Sequence, residues 1–141
     1  MMTNFNIADF DVISIQSSGE AEMHLNKRYL TFTKSLIEEM GCPPYVRVLV
    51  NAKDQMVALQ ACKPTDENAY KFSQPRGLQK KAKYCCRKSI KKSIIAVIGN
   101  VWDESNFYGC RGLYLPEQKA MIFDMKNIYK RNVEFLPSKR T

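Results

Sequence analysis

Between Arg76 and Lys92 the chain has no acidic residue, while eight positions there are basic: Arg76, Lys80, Lys81, Lys83, Arg87, Lys88, Lys91 and Lys92. The shortage is local. The whole sequence holds 22 Lys plus Arg against 14 Asp plus Glu, so outside this stretch the two signs balance and the net charge of +8 resides in one segment. Histidine is nearly missing too, with His24 the single example, and no run of apolar residues approaches the roughly 20 needed to cross a bilayer. The opening residues Met1 to Asn6 lack the basic and apolar regions of a signal peptide, and a cytoplasmic location is the expectation. Gly and Pro stand at six each, and with 45% hydrophobic and 26% charged residues the composition argues against wholesale disorder.

These absences also restrict chemistry. Five cysteines (Cys42, Cys62, Cys85, Cys86, Cys110) are an odd number at irregular spacing, which disfavours a disulfide framework and offers no paired zinc ligands, so reduced thiols and no metal or other cofactor are expected. Cys85 and Cys86 lie among Lys83, Arg87 and Lys88, whose charge favours thiolate, although one core-facing thiol beside one surrounded by lysines is the stronger reading. There is no P-loop, Gly-rich dinucleotide fingerprint, His-Glu-x-x-His pair or Gly-x-Ser-x-Gly elbow. His24, between Met23 and Leu25 in a predicted strand, reads as structural. Asp103, Glu104 and Asp124 are the acids that would hold magnesium in a nuclease, but such acids are commoner as turn and cap residues. The chain therefore reads as a binding protein, not an enzyme.

What is present fits one domain of the α+β class, with two short helices and at least two antiparallel hairpins. Val12–Ile15 and Met23–Leu25 are strand candidates about Ser17–Gly19. Thr33 is placed to cap a helix over Lys34–Met40 that Gly41 stops. Tyr45–Val50 and Gln55–Leu59 flank a polar turn at Asn51–Asp54, and Phe107–Leu115 with Lys119–Met125 make a second hairpin about Pro116. A loop is expected over 63–79, with Ala69–Phe72 as a short strand within it, and a loosely held basic tail over 126–141. Ile90, Ile94, Val97 and Val101 recur at helical spacing, which predicts a helix from about Tyr84 to Ile98, with its charged end reaching back toward Lys80.

Lysines at a helix start oppose the macrodipole, and a bound phosphate would offset both the lysine repulsion and the positive helix end. With no acid at helical spacing to neutralise them, polyanion contact outweighs a merely solvated face. Among the nearby aromatics, Tyr84 is the stacking candidate because lysines surround it, whereas Tyr70, Phe72, Trp102, Phe107 and Tyr108 read as core or hairpin residues.

Arg28 to Gly41 (Arg-Tyr-Leu-Thr-Phe-Thr-Lys-Ser-Leu-Ile-Glu-Glu-Met-Gly), followed by Tyr45–Val50 and Gln55–Leu59, resembles the AbrB/MazE-like (SpoVT-AbrB) half-barrel over about residues 28–61. The resemblance implies an interlocked, DNA-binding homodimer, with Lys27, Arg28 and Lys34 at the loop that faces DNA. The chain departs from the pattern at Thr33, where the family commonly has proline, and at Ile37, Glu38 and Glu39, where it often has basic residues. The acidic helix shifts the expected contact toward Lys80 through Lys92. The expected function is thus nucleic-acid binding by a small regulatory protein, DNA favoured by the resemblance. The alternative is a protein-interaction module or inhibitor, from a mobile element for instance, docking on an acidic or nucleoprotein surface.

Overall fold

A computed structural model describes residues 20–75, 77–79, 81–85 and 87–131. The expected strand at Val12–Ile15 and its turn lie outside them, as do Arg76, Lys80, Cys86 and residues 132–141. The fold is mixed α and β. Nine strands are β1 Glu22–Leu25, β2 Leu30–Phe32, β3 Tyr45–Asn51, β4 Met56–Ala61, β5 Tyr70–Lys71, β6 Lys83–Cys85, β7 Tyr108–Leu115, β8 Ala120–Asp124 and β9 Tyr129–Lys130. Helix α1 spans Lys34–Glu39 and helix α2 spans Lys88–Ile98. All strand pairs are antiparallel, in the order β5-β3-β4-β8-β7-β1-β2-β6 with β9 added on β7.

Strand β7 is long enough to serve two neighbourhoods. Its first half, Tyr108 to Arg111, pairs with β1, while Gly112 to Leu115 pair with β8. The sheet curls at this strand. Its two glycines matter because other residues occupy the space of a side chain: a Cβ on Gly109 would lie 2.7 Å from the Tyr129 ring, and one on Gly112 would lie 2.5 Å from Met121 Sδ. Curling brings the ends of the strand order near each other, since the Lys83 ammonium of β6 lies 5.2 Å from the ring centroid of Tyr70 in β5. Side chains close this seam, with Phe72 edge-on to Phe32 at 5.6 Å behind it. The enclosed core joins Met23, Leu25, Leu30, Phe32, Val57, Leu59 and Phe123 to Ile94, Val97 and Ile98 of α2.

Local signals in the chain explain the elements around the site. Thr33 Oγ1 accepts from the Leu36 and Glu22 amides at 3.3 and 3.0 Å and donates to the Glu20 carbonyl at 2.8 Å, so one hydroxyl caps α1 and ties it to β1. Gly41, at φ +82°, ends that helix. Its amide bonds Glu38 O and the Cys42 amide bonds Ile37 O, the paired arrangement of a Schellman stop. The β3–β4 turn is held by Asn51, which accepts from the Asp54 amide at 3.1 Å.

Three expectations are corrected. Helix α2 begins at Lys88, with Arg87 as its cap, because Lys83–Cys85 forms β6 against β2, pairing Cys85 with Leu30, Tyr84 with Thr31 and Lys83 with Phe32. Strand alternation then directs Tyr84 outward while Cys85 packs toward the core. Val101 leaves the apolar stripe and is 61% exposed, because Gly99 adopts φ +72° and Gly99–Val101 form a 3-10 turn. Counting that turn, the helical segment is 14 residues long, so one longer helix and the six-residue α1 replace the two short helices. At the end of the described residues β9 pairs with Tyr108 and Gly109, and the Arg131 amide bonds Phe107 O at 2.7 Å.

A buried carboxylate organises this region. Glu22 is only 6% exposed and accepts the Tyr129 hydroxyl at 2.7 and 2.8 Å and His24 Nε2 at 2.7 Å, with Arg111 Nε 3.7 Å away. Burial alone would raise its pKa, but these hydrogen bonds and charges together hold it below the ordinary 4.5. Burial pushes the His24 imidazole below 6.5 despite the bond to Glu22. Both groups bind protons less readily folded than unfolded, so their contribution is present above their unfolded values and is lost as pH falls through the folded ones. Stability should fall as acid passes below pH 6.5 and fall again below 4.5. Tyr129→Phe removes a bond to a buried charge and should cost about 1.5–3 kcal/mol at neutral pH. Urea midpoints across that pH range check both, and a flat profile would remove Glu22 and His24 as titrating elements.

Candidate nucleic-acid interface

The basic segment is divided by the structure instead of forming one helical face. Lys88, Lys91 and Lys92 are on α2, and successive turns of about 100° put Lys92 and Lys91 at about 40° and 300° from Lys88. The buried Val97, Ile94 and Ile98 fall near 180°, 240° and 280°, so the core stripe ends beside Lys91 while Lys88 and Lys92 lie clear of it. Ile95 falls inside the charged arc, half-buried between the lysine stems.

Against this helix face stands the β1–β2 turn. Asn26 builds it: its Oδ1 accepts the Arg28 and Tyr29 amides at 2.7 and 2.9 Å, and its own amide bonds Tyr29 O at 2.9 Å. The turn exposes Lys27, Arg28 and Tyr29. Between turn and helix lies a cleft of about 620 Å³ whose lining combines Lys27, Arg28, Arg87, Lys88, Lys91 and Lys92 with Tyr29, Tyr84, Cys85 and Ile95. Among the described residues none of these six cations makes a salt bridge with a carboxylate. The N-terminus of α2 opens here with no side-chain cap and no acid in its first turn.

Lys91 differs from its neighbours. Its ammonium donates to the Lys27 carbonyl, joining helix to turn, and burial lowers its pKa. Tyr29 and Tyr84 meet edge to face with centroids 5.7 Å apart while remaining 52% and 55% exposed. Behind the pair lies a second hollow lined by His24, Asn26, Thr31 and Arg131.

Seven of the twelve residues singled out from the sequence line the cleft, namely Lys27, Arg28, Tyr84, Arg87, Lys88, Lys91 and Lys92. Lys83 is at the seam over Tyr70, a ring that Arg87 also approaches at 5.9 Å. Lys81 is exposed and not part of the lining; its carbonyl accepts from Gln79. Lys34 is absent from the lining and is turned to Glu38 at 3.9 Å. Arg76 and Lys80 fall outside the described residues.

Tyr29 was missed by reading the sequence. Its signal was the Asn-Lys-Arg-Tyr turn immediately before a strand, visible only once β2 and β6 are known to pair.

Other candidates separate or acquire local partners. Asp103 accepts from Ser105 at 3.0 and 2.8 Å and Asp124 from Lys126, and no group of three metal-ligating side chains occurs among the described residues. Burial pushes the Cys110 thiol up to about 12. No family model matches this chain, and no curated protein or solved structure does.

If Lys91 is a strut, Lys91→Met should keep the helix packed but loosen the turn. Hydrogen exchange at the Arg28 and Tyr29 amides should quicken while exchange in α2 stays as it was, and unchanged turn exchange would discount the strut.

Proposed function

We propose that this chain binds nucleic acid through the cleft between α2 and the β1–β2 turn. The observation that carries the reading is the convergence of six cations from separate segments on one concavity, with no carboxylate paired to them among the described residues. Clustering like charges costs free energy unless a counter-charge arrives, and a phosphate backbone supplies such charge at regular spacing. The uncapped N-terminus of α2 adds amide donors of the same polarity. DNA is favoured over RNA only by the AbrB/MazE-like resemblance, whose strand, helix and hairpin correspond in order to β2, α1 and β3–β4. A small regulatory DNA-binding protein is the role this reading supports.

A protein-interaction module is the second reading, and one observation favours it. Leu49, Ala58, Ile122 and Leu113 are successive register partners across β3, β4, β8 and β7. Leu49 and Leu113, at the row's ends, are 40% and 66% exposed, which makes a ready apolar contact strip.

Fluorescence anisotropy with labelled single-stranded DNA, duplex DNA and duplex RNA at low salt tests the first reading, and no binding to any of them overturns it. Replacing Lys88 and Lys92 together by Ala should weaken every nucleic acid and reduce the slope of log affinity against log salt by about two. An unchanged slope in the folded double variant would move the contact elsewhere. Leu113→Glu should leave that binding untouched and disturb only a protein partner.

A further inference from the structure

We infer that the cleft selects unpaired over duplex nucleic acid, because the Tyr29–Tyr84 pair forms a stacking ledge for a base that has left the helix. This rests on the nucleic-acid reading and adds the class of strand. Three observations converge.

First, both tyrosines are more than half exposed although their rings meet, so they remain open to a ligand as well as to the fold. Second, the ledge divides two hollows with different chemistry: the cationic cleft on one side, and on the other a smaller hollow bearing His24, Asn26, Thr31 and Arg131. Third, the ledge stands on paired backbone. Tyr84 is register partner to Thr31, which pairs with His24, and Tyr29 is fixed by Asn26. Such support reduces the side-chain and loop ordering that binding would otherwise require.

The selectivity follows from what each form of nucleic acid presents. Duplex bases already stack on one another and offer a protein their edges and phosphates, so an exposed ring has no base face to cover. An unpaired base has a free face, and stacking on an aromatic side chain recovers part of what unstacking lost. In the proposed arrangement, phosphates lie along Arg28, Lys88 and Lys92, a base stacks on one tyrosine face while the other ring, at 73° to it, bounds its side, and its polar edge turns toward Thr31 and Arg131. The lysines alone would serve either form. The tyrosines break that equivalence.

The test compares a labelled oligothymidylate with a duplex of mixed sequence, at one salt concentration, using anisotropy. The wild-type chain should prefer the single strand by at least about ten-fold. Tyr84→Ala should lose about ten-fold on the single strand and little on the duplex, while Tyr84→Phe, which keeps the ring, should bind as wild type does. The Phe variant guards against misreading a folding defect of the Ala variant at edge strand β6; Tyr29→Leu gives an independent second loss.

Equal affinity for both strands with all tyrosine variants unchanged would overturn the ledge and leave the phosphate cleft standing. Failure of every nucleic acid to bind the wild-type chain would overturn both, and loss in Tyr84→Phe equal to that in Tyr84→Ala would show the hydroxyl, not the ring face, to be the contact.

Discussion

A largely buried carboxylate must have its lone pairs satisfied, and Glu22 meets that requirement only when three strands are in register. Its own strand brings His24, β7 brings Arg111, and β9 brings Tyr129 across 107 positions of sequence. The Tyr129 ring reaches Glu22 by crossing Gly109, where a side chain would block it. Because β1 also pairs with β2, and β2 with β6, the same register fixes where the Asn26 turn and Tyr84 emerge. The chemistry of the surface therefore depends on a polar cluster that, among the described residues, shares no hydrogen bond or ion pair with the cleft's lysines.

Charge and core are reconciled within α2 by length. The helix is long enough to send Ile94, Val97 and Ile98 inward while Lys88 and Lys92 remain outside, and Lys91, on the border, turns its ammonium to a backbone carbonyl. This arrangement limits how far the cluster can relax. Exposed lysines separated along a flexible loop would drift apart under their repulsion, whereas these are spaced by helical geometry and by a turn tied to the helix. Preorganised repulsion of that kind is what an incoming polyanion relieves.

Much of the scaffold was legible because its signals are local. Thr33 and Gly41 mark the two ends of α1 through one hydroxyl and one left-handed backbone, and the polar turns at Asn51–Asp54 and Pro116 lie between runs of β-rich residues. The acid-free segment likewise led to the lysines of the cleft. What the sequence concealed was tertiary. Lys-Ala-Lys-Tyr-Cys-Cys reads as the approach to a helix, and only pairing with Leu30–Phe32 makes three of those residues a strand. Such a short edge strand has no periodicity of its own, so neither the exposure of Tyr84 nor its meeting with Tyr29 could be read from spacing. The role of Glu22 was hidden for the same reason, since its partner Tyr129 lies in what composition alone marks as a basic tail.

The seam between β5 and β6 bears on how this protein behaves in a crowd of its own kind. Among the described residues the curled sheet stops short of full backbone closure, and the outer amides and carbonyls of its two end strands are each a template for a foreign strand. Here one edge is two residues long and carries Lys71, and the other is three residues long and carries Lys83. Lys83 is also drawn across the gap onto Tyr70. Ribbon-like stacking of copies is opposed at both ends by shortness and like charge, so the lysine that draws the sheet's two ends together also discourages the sheet from growing.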